Sequence, residues 1–366
     1  MDLMTASTSY SKLLAKYRNF GAPTIRVHVD GVEIVEKLGA KLSNLTIDLT
    51  AGIDASGCSF DVIGEYEHKN SAFAKDGAAG QLQLGAKIEL ELGYIETVTV
   101  FTGLVAEIEY VMDEEDSPYI HVECMDAKCL LMKQQRLGVF IEKSITDAIG
   151  EIMDAQPFSD YIEGKKIEAL SDQLEMLPTA MEDDFQLVAR HARQIGYEFF
   201  IVQGTVYFRP VPTSHSAIMS LSPDMGLLSL KQSLRSSSLY KKAMVVGINP
   251  ADNQMVSGEA TLDGTFGKGS GASQMLGDSK RILFDHGIER AEQAEQRAKV
   301  LMQEARGDFG RLECRCVGLP ELVPGRSVMI EGISPEADKE YYILSVRHTL
   351  DERGFFTNIE ARIETL

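Results

Sequence analysis

From Pro23 onward Ile25, Val27 and Val29 share one face and Arg26, His28 and Asp30 the other, the period-two signature of a half-buried strand. Asp30-Gly31 supplies the positive φ values of a tight hairpin turn, and Val32 and Ile34 return. The alternation recurs at Leu45, Ile47 and Leu49, at Phe60 and Val62, at Ile88, Leu90 and Leu92, and at Val98 and Val100. Strands continue through Leu104 to Ile108 and through Ile120, Val122 and Cys124, on either side of the acidic tip Asp113 to Asp116. So many short strands joined by turn chemistry predict an antiparallel barrel or sandwich over residues 22–132. A polar opening with one short helix, Ser11 to Phe20, precedes it.

The period then changes. Ile141, Ile145, Ala148, Ile149 and Ile152 form one helical stripe within a segment from Ile141 to Ala155 that Pro157 closes. A second helix, Glu182 to Gln194, turns Phe185, Val188, Ala189 and Ala192 inward and stops at Gly196. Tyr197 to Phe200 and Thr205 to Phe208 flank Gln203-Gly204 as a hairpin, so residues 133–212 read as a small α/β unit. Strand-like runs resume near Leu227 and at Ala243 to Ile248, and the glycine-dense stretch 257–277 predicts an exposed loop. A third helix, Ile288 to Arg306, carries the small-residue stripe Ala291, Ala294, Ala298, Leu301, Met302 and Ala305, which permits close approach to a neighbour. Strands close the chain at Val328 and Ile330, Tyr342 to Val346, and Phe356 to Ile363.

Two of these regions echo one another. Leu82, Gly85, Ile88, Leu90 and Glu91 fall on Leu322, Gly325, Val328, Ile330 and Glu331 without a gap, and one inserted residue brings Phe101 and Val105 onto Tyr342 and Val346. Each copy is a glycine-marked turn, a half-buried strand, a connection and a strand opened by an aromatic. Two unrelated β-hairpins present the same spacing. A true duplication gives two similar β units, the second interrupted by the 257–277 loop and the third helix, and a trimer of such chains presents six similar units around one axis.

Charge narrows the function classes. The 366 residues carry 36 Lys plus Arg against 55 Asp plus Glu, a net charge of −19. That balance argues against general nucleic-acid binding, which needs cations to displace counterions from phosphates. An excess of carboxylate lining a channel would repel passing phosphate or acidic cargo, while a solvated acidic surface accounts for the same numbers. Five cysteines, an odd and sparse set, read as reduced thiols. The first twenty residues lack a secretory h-region, and no stretch reaches the roughly 18 apolar residues of a spanning helix. The expectation is a cytosolically made protein without membrane insertion of its own.

Candidate chemistry is sparse. His121, Cys124, Cys129, Cys314 and Cys316 have metal-ligand identities, yet His121 and Cys124 point to opposite faces of one strand while Cys314 and Cys316 share a face of another. Gly267-Lys268-Gly269-Ser270 imitates a phosphate loop, but Leu262 stands where its first glycine belongs. The acids at Asp113 to Asp116 and Glu182 to Asp184 could pair for glycoside hydrolysis, although a turn tip and a helix N-terminus explain them as well. His191 sits alone on its helix, and no nucleophile elbow or zinc-protease helix is present. The expectation is no catalytic residue, no metal and no cofactor, and interface residues stay unassigned. A tail-associated peptidoglycan-degrading enzyme is the alternative function, and a carbohydrate-binding module is disfavoured by the absence of Trp.

Longer matches run through the chain in order. Ala22-Pro23-Thr24-Ile25 to Asp30-Gly31, Leu84-Gly85 to Leu92-Gly93-Tyr94, and Val100-Phe101-Thr102-Gly103 resemble the phage late control gene D family. Asp184-Phe185-Gln186-Leu187-Val188-Ala189-Arg190 leading to Gly196-Tyr197-Glu198-Phe199 does too. The most specific part is the close, Leu319-Pro320, Val323-Pro324-Gly325 and Tyr341-Tyr342-Ile343-Leu344-Ser345-Val346-Arg347-His348. The family supplies baseplate hubs of contractile tails and is similar to the hub half of VgrG spike proteins. The resemblance implies a β-rich α+β fold with two tube-like antiparallel β-barrels, a small α/β domain between them and a helix-containing insertion in the second barrel. The corresponding division is an N-terminal extension (1–21), a first barrel (22–132), an α/β domain (133–212), a discontinuous second barrel (213–250 and 310–366) and the insertion (251–309). The implied role is a homotrimeric, pseudo-hexameric ring joining the hexameric tail tube or its initiator to a separate trimeric spike, among other baseplate proteins of a phage, bacteriocin or injection particle. The spike is expected as a separate polypeptide because the chain stops at Leu366, after the last barrel strand.

Overall fold

Twelve strands carry the architecture: β1 (Thr24–Val29), β2 (Lys41–Thr50), β3 (Gly57–Ile63), β4 (Lys87–Gly93), β5 (Thr97–Val111) and β6 (Tyr119–Met125), then β7 (Ala217–Leu221), β8 (Leu227–Leu234), β9 (Gly310–Val317), β10 (Ser327–Ile330), β11 (Glu340–Asp351) and β12 (Gly354–Arg362). The computed structural model describes residues 2–363 except 68, 71, 75–76, 113–116, 137, 171–172, 179–181, 213–215 and 263–270. The first six strands lie in the order β1-β4-β5-β6-β3-β2, and the second six in the order β7-β10-β11-β12-β9-β8. Each strand of the first set therefore has its counterpart six places later. The pairings agree in sense except that β1 meets β4 antiparallel and β7 meets β10 parallel. The fold is β-rich, with two similar barrel-like units built on one pattern.

Local geometry repeats as well. The Gly85 and Gly325 amides donate to the Val105 and Ile343 carbonyls at 2.9 and 3.0 Å. The Val105 and Ile343 amides in turn donate to the Ala86 and Arg326 carbonyls at 3.0 and 2.8 Å. A β-bulge follows each, between Val105 and Glu107 in β5 and between Ile343 and Ser345 in β11. Val105 thus corresponds to Ile343. The sequence alignment is right along β4 and β10, where Ile88 faces Gly103 as Val328 faces Tyr341. It is three residues out along the next strand, where it set Val105 on Val346. The first hairpin holds an extra bulge between Leu90 and Glu91, which skips Val100, and spacing alone does not register a residue that leaves the ladder.

Both units contribute to one apolar core, from Val27, Ile47 and Phe60 to Val328, Val346 and Ile359. Between them, the hairpin of strands Tyr197–Val202 and Thr205–Pro210, extended by parallel strand Gly164–Ile167, packs with helices α1 (Ile145–Asp154) and α2 (Asp184–Ile195) around a second core. Helix α1 is shorter than its stripe predicts. Ser144 caps it, and Val139–Ser144 before it is a strand paired with Gln173–Pro178. Helix α2 begins with an Asp183/Gln186 capping box and ends at Gly196 in the left-handed region.

The run 243–248, expected inside the second barrel, instead joins the insertion. Strand Lys242–Ile248 lies between Met255–Thr261 and Lys280–Phe284 in a separate sheet, against helix α3 (Ala291–Phe309). The expected 257–277 loop is in part this sheet and in part a short helix, Gly271–Leu276. Residues 263–270 fall outside the described residues. The polar opening is also more than an extension: Leu3, Leu13 and Tyr17 are buried, and the Thr8 amide donates to the Ile218 carbonyl of β7 at 2.9 Å. Among the described residues no helix is long and apolar enough to cross a membrane.

Candidate functional site

The feature that organises the molecule is the seam where one unit joins the other. Residues Ser345 to Leu350 of β11 run antiparallel to Thr50 to Leu45 of β2, making one continuous sheet from two units. On the inner face Val346 meets Leu49 and His348 meets Ile47, all four buried. On the outer face Arg347 donates to Asp48, at 3.1 Å from Nη2 to Oδ2. That carboxylate raises the guanidinium further above its ordinary range. Both side chains are about half exposed, so their pairing orients the strands and contributes less than about 1 kcal/mol.

The residues of the run 341–348 that resembles a known family each have a structural task here. Tyr341 donates to the Ala337 carbonyl at 3.1 Å and lies 2.8 Å from Gln232 Nε2, tying β11 to β8. The Tyr342 hydroxyl donates to the Glu198 carboxylate at 2.6 Å, tying β11 to the middle unit. Burial first, and then that neighbouring carboxylate, push the Tyr342 phenol well above its ordinary value. His348 is fully buried with Nδ1 3.0 Å from the Thr357 hydroxyl, and burial holds it down to about 4, so it is neutral near pH 7.

Two further ties fix the units. Lys128, wholly buried, points Nζ at the carbonyls of Gly52 and Phe199, both at 3.3 Å, with Asp126 Oδ2 at 3.7 Å. Desolvation lowers Lys128 and raises Asp126, and their mutual attraction opposes both shifts. At the N-terminal segment the Tyr17 hydroxyl donates to buried Glu321 at 2.5 Å, and Arg326 Nη1 donates to the Leu3 carbonyl at 2.7 Å.

The residues with candidate chemistry do not converge. His121 pairs with Asp61 at 2.6 Å, a hydrogen bond that raises its pKa, while Cys124 lies opposite Cys58 in the β3–β6 ladder. Cys129 is on the short helix Lys128–Leu131, and Cys314 and Cys316 are in β9 of the other unit; all five thiols are free and buried. Among the described residues no three His, Cys, Asp or Glu side chains gather as a metal would need. Asp184 faces Arg136 at 2.8 Å, and Glu182 faces Arg190 Nε at 3.1 Å, so these acids have cationic partners instead of one another. Burial lowers His191 to about 4. Asp113 to Asp116 and Gly267 to Ser270 lie outside the described residues. Both seam strands are legible in the sequence, as the alternation Leu45, Ile47 and Leu49 and as the run 341–348, but their pairing is not, because edge pairing uses backbone groups common to nearly all residues.

Residues 23–352 match the family described as Alg8 N-terminal domain. The chain belongs to this family. No curated protein matches it. Among solved structures, this Alg8 N-terminal domain chain has the fold of the 43 kDa tail protein of prophage MuSo2 from Shewanella oneidensis, at 16% identity and a TM-score of 0.70, over 93% of this chain and 98% of that one. A tail protein from Neisseria meningitidis MC58 is similar at 13% identity and a TM-score of 0.69, over 94% and 97% of the two chains. So is an E. coli component of the type VI secretion system, described as structurally similar to the T4 bacteriophage tail proteins gp27 and gp5, at 10% identity and a TM-score of 0.58, over 92% and 76%. At these identities the likeness is one of fold.

Proposed function

We propose that the chain is a structural baseplate hub of a contractile tail or injection particle, of the late control gene D type. Three copies form a ring of six barrel units that joins a hexameric tail tube or its initiator to a trimeric spike, beside other baseplate proteins. The observation that carries this reading is the duplicated strand order with its β11–β2 seam. A unit that pairs edge to edge with a copy of itself is a ring segment, and two such segments per chain turn threefold assembly into near-sixfold geometry. The fold shared along almost the whole chain with prophage tail proteins supports the same reading. We assign residues 22–132 to the first barrel and place the 239–309 region, with its own sheet and core, in the insertion.

The role is mechanical, and binding uses broad interfaces of the size that permanent assemblies need. Light scattering on the purified chain is expected to give three copies, and co-expression with the cognate spike three hub chains per three spike chains. A monomer at micromolar concentration rejects the ring. Turnover of peptidoglycan by the purified chain, abolished in Glu182→Gln or Asp184→Asn, rejects the structural role.

A further inference from the structure

The seam inside the chain has an unfilled counterpart, made by the overhanging part of β5 and the outer edge of β8. In the second unit β11 gives its edge to β2; the corresponding strand of the first unit is β5, and the strand corresponding to β2 is β8. Segment Glu107 to Val111 of β5 pairs with β6 on one side, and its other edge runs past the end of β4, whose ladder stops at Leu104. Strand β8 ends the sheet, pairing only with β9 among the described strands. Its Arg235 amide turns inward to the Phe309 carbonyl at 2.7 Å. By strand alternation the Leu234 and Gln232 amides then face outward, as Leu49 and Ile47 face β11.

We infer that β5 of one protomer pairs antiparallel with β8 of the next, in the register that β11 and β2 use within the chain. Carrying each seam position to its counterpart sets Glu107 opposite Arg235, Ile108 opposite Leu234, Glu109 opposite Ser233, Tyr110 opposite Gln232, Val111 opposite Lys231 and Met112 opposite Leu230. The inference rests on the ring reading above, but its evidence is separate. Two positions that are buried at the seam are exposed apolar residues here: Leu49 and His348 are 3% and 0% exposed, whereas their counterparts Leu234 and Tyr110 are 53% and 59% exposed. Charge is complementary as well. Glu107 and Glu109 on β5 face Arg235 and, diagonally, Lys231 on β8, where the seam uses Asp48 and Arg347. The occupant is therefore a second copy of this chain, whose other end presents the matching edge.

A disulfide tests the register. The Ala51 amide donates to the Leu344 carbonyl, so Asp48 and Arg347 form a non-hydrogen-bonded pair, and Ser233 and Glu109 form the corresponding one. Such pairs hold Cα atoms about 4.5 Å apart, within disulfide range. Because the five native thiols are buried, the double variant Glu109→Cys/Ser233→Cys is expected to oxidise to a reducible three-chain product on a denaturing gel. Each single variant, and the shifted pair Glu109→Cys/Lys231→Cys, is expected to stay at one chain. A native trimer in which the Glu109→Cys/Ser233→Cys variant forms no link between chains overturns the edge pairing and leaves the ring standing. Linked ladders longer than three chains support the pairing and overturn the threefold ring, and a chain that stays monomeric and unlinked overturns both.

Discussion

Lys128 shows how much one side chain carries at the contact between the first barrel unit and the middle unit. Its ammonium is out of solvent and satisfied by carbonyls from both, so Lys128→Met leaves those oxygens and Asp126 without their cation. Removing one partner of a buried charge pair costs about 3–5 kcal/mol, and urea denaturation of the variant is expected to show a loss in that range. His191 and His348 act through pH. Burial lowers both to about 4, below the unfolded value of about 6.5, so the unfolded chain binds more protons between those limits. Their contribution is complete above about pH 6.5 and is lost as pH falls towards 4, at about 1.4 kcal/mol per unit for each histidine. His121, raised by Asp61, works in the opposite sense: its stabilisation is present at low pH and fades as pH rises through its folded value. Midpoint temperatures measured from pH 7 to 4.5 are expected to fall, less steeply in His348→Gln than in the parent.

Among the elements, helix α3 and its sheet depend on small residues. A Cβ added to Gly258 would lie 2.1 Å from the Glu295 amide nitrogen, so helix and strand backbones nearly touch where Ala294 and Ala298 are fully buried. Gly258→Val is expected to force them apart at a cost of about 1–3 kcal/mol, read as a lower midpoint temperature. The stripe of alanines was legible in the sequence, and so was close approach. That the partner is strand Met255–Thr261, inside a stretch whose glycines suggested a loop, was not, because glycine marks both exposed turns and crowded contacts. The start of α1 misled in a similar way. Ile141 and Ile145 keep helical spacing, yet the side chain of Ser144 caps the helix there and the residues before it pair with Gln173–Pro178.

At the scale of the whole molecule, the sheet that spans both units leaves one edge open at β8 and another along β5 past the end of β4. Reversing one charge places like charges opposite each other, which opposes pairing. Glu107→Lys and Arg235→Glu are each expected to shift assembly several-fold towards monomer by sedimentation. The effect is expected to be largest at low salt, where screening is weakest, and the double variant is expected to recover the parental behaviour. Failure of the double variant to recover contradicts the Glu107–Arg235 alignment.

Alternation, turn residues and helix stripes in the sequence determined the strands of the first barrel unit, most of those of the second, the middle α/β unit and the third helix, but not strand β7 (Ala217–Leu221). They did so because burial on one face imposes a period on the chain itself. The repeat was visible at Gly85 and Gly325, whose backbone roles are equivalent. Only the tertiary structure decided the register of β5 against β11, the sheet inside the insertion, and which strand edges meet. Bulges remove residues from the ladder without changing their identity, and edge pairing is made by amides and carbonyls common to all residues, so neither leaves a period to read.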